Sequence, residues 1–256
     1  MIRVILLVTA GLLLAACQNA PSRQAMWSQA PPPELPVTRP VPARMLLLPI
    51  DLRVHEISAG NVVEKVDAWS RRATETAEAY VRTLDSQEDG LTLVAIPPLS
   101  GDEQAALDQH VALYDAVALT AYLAQRATDP VWRKRGEETD FTLGPGLKAL
   151  AEKSGADAAL VIIGTDYISS GGRKAAMAVT SVVGALIGIG IVPQGGQAFV
   201  SAGIFDLRTG QLLWFDTHRS GSLDLNEEKG VRAVLDAVFR TAPIRKPPAA
   251  GDAKSG

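Results

Sequence analysis

The chain has 256 residues, 47% of them hydrophobic and 21% charged, with a formal net charge of −3. That balance excludes a protein built to neutralise nucleic-acid phosphates, and a single cysteine excludes an intramolecular disulfide. Three dispersed histidines, His55, His110 and His218, with no CxxC or HxxxH spacing, argue against a structural zinc site.

The first element is an export signal. Met1-Ile2-Arg3 is a short positive start, Val4 to Leu14 is an apolar stretch, and Ala15 and Ala16 precede the sole thiol, Cys17. The stretch is too short to span a bilayer comfortably. Leu14-Ala15-Ala16-Cys17 reads as a lipobox. Small side chains flank the bond to be cut, and the sulfur takes the lipid. The expected covalent groups are a diacylglycerol and an N-acyl chain on Cys17, with no other cofactor and no metal. Several acyl chains, each contributing about 0.8 kcal/mol per buried methylene, hold a protein stably at a membrane. By resemblance to bacterial lipoproteins, Gln18 rather than Asp at the next position favours the outer membrane. Loss of Arg3 leaves 24 basic against 28 acidic residues.

The resulting division is 1–16 signal peptide, 17–42 lipidated tether, 43–242 periplasmic α/β domain and 243–256 disordered tail. The tether holds seven prolines between Gln18 and Pro42, a density that denies helix and sheet.

Met45 to Ile50 is a continuous apolar run and reads as the first strand, buried on both faces. Asn61 to Leu84 reads as a helix, with Val62, Val66, Trp69, Ala73, Ala77, Tyr80 and Leu84 on one stripe and Trp69 as a core anchor. Leu91 to Ile96 is a second strand, stopped by Pro97-Pro98. Asp102 to Gln125 is a second helix, with Leu107, Val111, Tyr114, Ala118 and Ala121 inward. Ala127 to Asp140 reads as a polar connection. A short helix then has Thr142 as candidate cap, Pro145 in its first turn and Gly155 past its end.

Ala158 to Gly164, apolar throughout after a helix and a glycine turn, is the strongest strand signal. Gln197–Leu207 and Gln211–His218 form a hairpin around Arg208-Thr209-Gly210. Asp224-Leu225-Asn226-Glu227 resembles a capping box opening a last helix over 226–241, with Val231, Val234, Leu235, Val238 and Phe239 facing the sheet.

One stretch does not fit a plain domain. Ala175 to Val192 carries no charge and includes Gly184, Leu186, Ile187, Gly188 and Ile189, with GxxxG spacing. Its length alone makes it a membrane candidate. The competing readings are a buried segment, a surface for self-association or partner docking, and a segment that enters a membrane. Just before it, Gly171, Gly172, Arg173 and Lys174 offer backbone amides and two cations to an anion. They do not match GxxxxGK[ST], so a plain turn competes with an anion site. No GxSxG elbow exists. Asp216 and His218 are a same-face strand pair, and Asp166, Asp206 and Asp216 are candidates only if they gather at strand ends. No motif points to an enzyme.

Several local patterns together resemble a family of uncharacterised proteobacterial lipoproteins, over roughly residues 45 to 240. They are Val66-Asp67-Ala68-Trp69-Ser70 with Ala73, Thr142-Leu143-Gly144-Pro145-Gly146, and Gly155-Ala156-Asp157-Ala158-Ala159-Leu160. Gly172-Arg173, Gly195-Gly196-Gln197, Asp206-Leu207-Arg208-Thr209-Gly210 and Leu213-Trp214-Phe215 complete the set. More loosely, the order of elements is similar to the curli-secretion lipoprotein class and to lipoprotein activators of penicillin-binding proteins. That resemblance implies a small α/β sandwich acting through contacts. The apolar run departs from the activators.

The expectation is therefore an α/β sandwich of two or three layers, with a mixed sheet, a C-terminal hairpin and a C-terminal helix. Its expected role is a non-catalytic interaction or assembly module of the cell envelope. It would be held to the outer membrane by its lipid, with an envelope protein or a second copy as partner and no nucleic acid. Two alternatives stand beside it: a subunit of an oligomeric secretion pore inserting 175–192, and an envelope anion-binding protein or enzyme.

Overall fold

The computed structural model describes residues 44–84, 92–138, 140–175, 178 and 196–244. The expected signal sequence, Cys17, the tether and residues 245–256 lie outside these. So does most of the 175–192 run, including Gly184, Leu186, Ile187, Gly188 and Ile189.

Strand β1 (Arg44–Leu47) passes through Pro49 into β2 (Asp51–Ile57), which turns back as β3 (Val63–Lys65). Helix α1 (Asp67–Arg82) leads to β4 (Thr92–Val94). Helices α2 (Gly101–Gln125), α3 (Pro130–Glu137) and α4 (Lys148–Ser154) precede the long strand β5 (Ala158–Ser169). After a helical turn at 171–175 come β6 (Gln197–Asp206), β7 (Leu212–Ser220), α5 (Glu228–Val238) and a 3-10 turn, Phe239–Thr241.

Among the described residues seven strands join one mixed sheet, the mixed sheet that the sequence led us to expect, with β5 at its centre. On one edge β5 pairs antiparallel with β6, and β6 with β7. Its other edge is shared: β1 runs parallel beside Met45↔Ala158 to Leu47↔Leu160, and β2 runs parallel beside Asp51↔Ile163 to Ile57↔Ser169. Outside these, β4 pairs parallel with β1 and β3 antiparallel with β2.

The junction of β1 and β2 is a bulge. From Leu47 to Asp51 the chain advances four residues while β5 advances three, from Leu160 to Ile163. The extra residue falls at Pro49, which has no amide to offer a ladder, directly after Leu48 N donates to Leu160 O at 2.9 Å. A slip of one residue exchanges the two faces of a strand. Met45 therefore points to one core and Leu46 and Leu48 to the other, and beyond the bulge Ile50, Leu52 and Val54 return to the core of Met45.

Two cores, one on each face, make the sandwich three-layered. On the first face lie Ala73, Ala77, Tyr80 and Val81 of α1, with Val231, Val234, Leu235 and Val238 of α5. They cover Ala158, Leu160 and Ile162 of β5 and Ala198, Val200, Ala202 and Ile204 of β6. On the second face Leu107, Tyr114, Ala118, Ala121 and Tyr122 of α2 and Leu150 and Ala151 of α4 cover Ala159, Val161, Ile163 and Phe205. Alternate residues of β5 thus serve opposite cores, which explains its unbroken apolar sequence. Helix α2 opens with a capping box: Ser100 Oγ accepts from Glu103 N, and Ser100 N donates to Glu103 Oε2. Lys153 Nζ reaches Glu103 Oε2 at 2.8 Å, tying α4 to α2. The Lys153 ammonium and the Ser100 amide hold the Glu103 carboxyl down at about 2.

The structure corrects several elements read from sequence. The helix expected over 61–84 starts only at Asp67, because 58–62 is a hairpin turn and 63–65 a strand. Val62 is 60% exposed and Trp69 only half-buried at the edge of the core. The connection over 127–140 contains α3, capped by Asp129 Oδ1 on the amides of Val131 and Trp132 with Pro130 in its first turn. Thr142 caps no helix. It bridges to Gln211, and α4 begins at Lys148. Gly155 does end α4 as expected, in the left-handed conformation at φ 67°. At α5 the N-cap is Glu227 and no side chain caps it, so Asp224 opens no capping box; its carbonyl accepts from Glu227 N instead. Ile244 still packs into the first core. Among the described residues no helix is long and apolar enough to cross a membrane.

Tyr114 shows how tightly the second face is packed. It is fully buried, its hydroxyl lies 2.9 Å from Ser201 Oγ, and it lies over Gly203. A Cβ on Gly203 would lie 2.6 Å from the Tyr114 ring, with no flexible side-chain end to give way. Gly203→Ala is expected to lower the unfolding free energy by about 1–3 kcal/mol through overpacking. Gly101→Ala, where the added carbon meets nothing within 4 Å, should leave it within about 0.5 kcal/mol. Urea unfolding of the two variants beside the parent checks this.

Candidate interaction surface

The bulge at Pro49 also decides which side chains remain outside the cores. Beyond it Asp51, Arg53 and His55 point to the second face, where α2 and α4 cover the near half of the sheet. The far half of that face has two cross-strand rows. One runs Lys65, His55, Tyr167, Gln197 across β3, β2, β5 and β6. The other runs Arg53, Thr165, Phe199, Arg219 across β2, β5, β6 and β7.

Tyr167 is 40% exposed although it sits on the central strand. Its ring stacks on His55, with centroids 5.0 Å apart and planes 20° from parallel. Beside this pair Tyr122 of α2 meets Phe199 edge-on at 5.5 Å, and the Arg126 guanidinium lies 3.8 Å over the Tyr122 ring. Arg53 Nε sits 3.1 Å from Asp51 Oδ2, and Lys65 Nζ 3.1 Å from Asp67 Oδ1. Exposed pairs of this kind contribute about 0–1 kcal/mol each, so exchanging their carboxylates costs little. Arg219 donates to Gln197 Oε1. Exposed aromatic rings flanked by arginine are what protein interfaces use as anchors.

At the same end, the 171–175 turn sits against the β2–β3 hairpin. Arg173 Nη1 donates to Asn61 Oδ1. The amides of Arg173 and Lys174 are taken up by Ser170, through its Oγ and its carbonyl. Gly171, Gly172 and Lys174 are exposed. The four residues thus place two cations beside the turn of the β2–β3 hairpin. Of the apolar run behind them, only Ala175 and Ala178 are described, and both are exposed.

The carboxylates considered for catalysis do not gather. Asp206 stands opposite Ala158 and Asp166 lies eight residues further along β5, a separation of roughly 26 Å at the rise of a strand. Asp206 Oδ1 accepts from the amides of Arg208 and Thr209 and folds the hairpin turn. Asp216 accepts from Thr217 N at 2.7 Å and Thr241 Oγ1 at 2.8 Å, and burial pushes its carboxyl up. Burial and Arg240 push His218 down. No serine among the described residues is hydrogen-bonded to a histidine. A cavity of about 390 Å³ opens where β1 and β4 splay at their carboxyl ends. Leu47, Leu48, Pro49 and Leu93 to Ile96 line it, with Glu78 and Arg82 of α1, and no histidine or hydroxyl nucleophile.

The β2–β3 hairpin was missed in the sequence although its signals are present. Leu52 and Val54 alternate with Asp51, Arg53 and His55, and Gly60-Asn61 is a turn pair between two such runs. Asn61 adopts φ 64°, a conformation asparagine tolerates.

No protein-family model matches the chain, and no curated protein matches it. Among solved structures, the LpoB C-terminal domain from Salmonella enterica aligns with 71% of this chain and 85% of its own length. The identity is 13% and the TM-score 0.24, so the reading of the surface rests on its own geometry.

Under the far half, on the first face, Asp166 is fully buried. Its Oδ2 accepts from Leu225 N at 2.7 Å and fastens the loop before α5 to β5, while Oδ1 has no geometric hydrogen bond among the described residues. Burial, with Asp224 nearby, raises its carboxyl from 3.8 to about 6, against the opposing pull of the Leu225 amide. The folded state therefore holds this proton more tightly than the unfolded chain. The group's contribution to stability is full below about pH 4 and is lost as pH rises through about 6. Asp166→Asn keeps an acceptor for Leu225 and removes the ionisation. It is expected to raise Tm at pH 7.5 by about 2–4 °C, the shift for ~1 kcal/mol in a domain of this size, and to leave Tm at pH 4 unchanged. Calorimetry at the two pH values checks the difference.

Proposed function

We propose that the chain is a non-catalytic interaction module of the cell envelope, held by acyl chains on Cys17 at the outer membrane. In this reading residues 17–42 reach into the periplasm, and the far half of the second sheet face docks a protein partner. One observation carries it. A tyrosine on the central strand of a three-layer sandwich is 40% exposed and stacked on a histidine, with Arg53, Lys65 and Arg219 on the same face of neighbouring strands. A central strand ordinarily buries such a ring, and leaving 40% of it open forgoes about 1 kcal/mol of apolar burial. A partner that covers Tyr167 recovers that burial and offers carboxylates to the surrounding cations.

The lipobox and Gln18 support the placement, and the dispersed carboxylates and histidines support action by contact. The anion-binding alternative would draw on the two cations beside the hairpin turn, Arg173 and Lys174, and is contained in this reading as part of an acidic partner's footprint. The pore alternative would act through residues 175–192, of which only 175 and 178 are described.

Site-specific photocrosslinking tests the reading. With p-benzoylphenylalanine in place of Tyr167 in the acylated chain, illumination of intact cells should give one discrete adduct. The same residue in place of Glu75, exposed on the outer side of α1, should give none. Equal yields from both positions, or no adduct from 167, would contradict it.

A further inference from the structure

The β2–β3 hairpin carries opposite charge on its two sides. On the second face it presents Arg53, His55 and Lys65 beside Tyr167. On the first face, beyond Leu52 and Val54, Glu56 stands directly opposite Glu64. Like charges across an antiparallel pair, with Cβ atoms about 5 Å apart, destabilise the pairing. Neither carboxylate forms an ion pair or hydrogen bond among the described residues. The hairpin also leaves Val62 and Val63, 60% and 49% exposed, at its tip. A two-residue acidic side is therefore displayed with an apolar tip, on the same element whose other side is cationic and aromatic.

We infer that the occupant of the cationic face is a second copy of this chain, which brings in the Glu56/Glu64 side of its own hairpin. This deepens the docking reading above and rests on it. The contact is head-to-tail, because the two surfaces that meet are different. A contacting pair keeps one free surface of each kind, so the arrangement propagates to a closed ring or an open filament. Charge complementarity chooses this occupant over an unrelated acidic protein. The cations that the face offers are what the unrelieved Glu56–Glu64 pair lacks. Val62, 60% exposed at the tip of the hairpin, supplies apolar area against the exposed Tyr167–His55 stack. Exchange of Asp51 and Asp67 for the incoming glutamates loses little, since both existing pairs are solvent-exposed.

Charge reversal with complementation tests it on the full acylated chain in a nonionic detergent, by sedimentation velocity with the detergent contribution subtracted. The parent should associate at micromolar concentrations and dissociate in 0.5 M NaCl, where the Debye length is only a few ångströms. Glu56→Lys with Glu64→Lys should weaken association at least tenfold, and so should Arg53→Glu with Lys65→Glu. An equimolar mixture of the two variants should restore it, because each then supplies the surface the other lacks. Thermal melts confirm that both variants fold, and the rescue by mixing excludes misfolding as the cause of loss. A parent that stays monomeric at 100 µM, reversals without effect, or a mixture without rescue would each overturn the inference. The photoadduct from position 167 separates this from the broader reading. An adduct of twice the chain mass supports self-association. An adduct of another mass refutes it while leaving partner docking in place.

Discussion

The edge of β5 is shared between two strand segments that are one residue out of phase. Pro49 makes the phase change. It lacks the amide that would continue the ladder, and the chain absorbs an extra residue there. Without that slip Leu52 and Val54 would face away from α1, and Asp51, Arg53 and His55 would point into the first core. The bulge therefore does two things at once. It completes the core under α1, and it sets a row of charged and aromatic groups on the face that α2 leaves bare. Ser70 of α1 fixes the arrangement by accepting from Val54 N at 3.0 Å.

Coverage divides the sheet into halves with different roles. The near half is closed on both faces by helices, with Tyr114 seated on Gly203 and the α2 cap tied to α4 through Glu103 and Lys153. The far half is closed on the first face, where Asp166 pins the loop before α5, and open on the second. A closed near half carrying an open far half suits the docking role proposed above. The displayed side chains stand on strands, so little ordering is needed when a partner arrives.

Much of this was legible in the sequence. The unbroken apolar run at 158–164, the spacing of Leu107, Tyr114, Ala118 and Ala121, and the Asp206 to Gly210 turn each announce their element. Mixed α/β architecture with a C-terminal hairpin and helix follows from them. The far half was not legible because it obeys two periods at once. Val62, Val66 and Trp69 continue the helical spacing of α1 backwards over a turn and a strand, so period 3.6 absorbed residues that belong to period 2. The bulge hid β2 in the same way, since Pro49 reads as the end of a strand when it marks a change of phase. Asp166 stands in an otherwise apolar strand. Its role depends on an amide 59 residues away, which no local pattern encodes.

The proposed docking role follows from what the fold leaves uncovered. The chain as a whole is acidic, yet cations collect around one aromatic pair and carboxylates around the other side of the same hairpin. Such segregation on a mostly neutralised surface directs encounters and fixes orientation more than it adds affinity.

The four tyrosines give the most direct test of whether the far half is open and then covered in place. Tyr80, Tyr114 and Tyr122 are no more than 5% exposed, and Tyr167 is 40% exposed. Nitration followed by peptide mass spectrometry should modify Tyr167 well ahead of the others in dilute purified protein, and should leave it protected in intact envelopes. Equal reactivity of Tyr167 in both settings, or an unreactive Tyr167 in the dilute protein, would contradict the account.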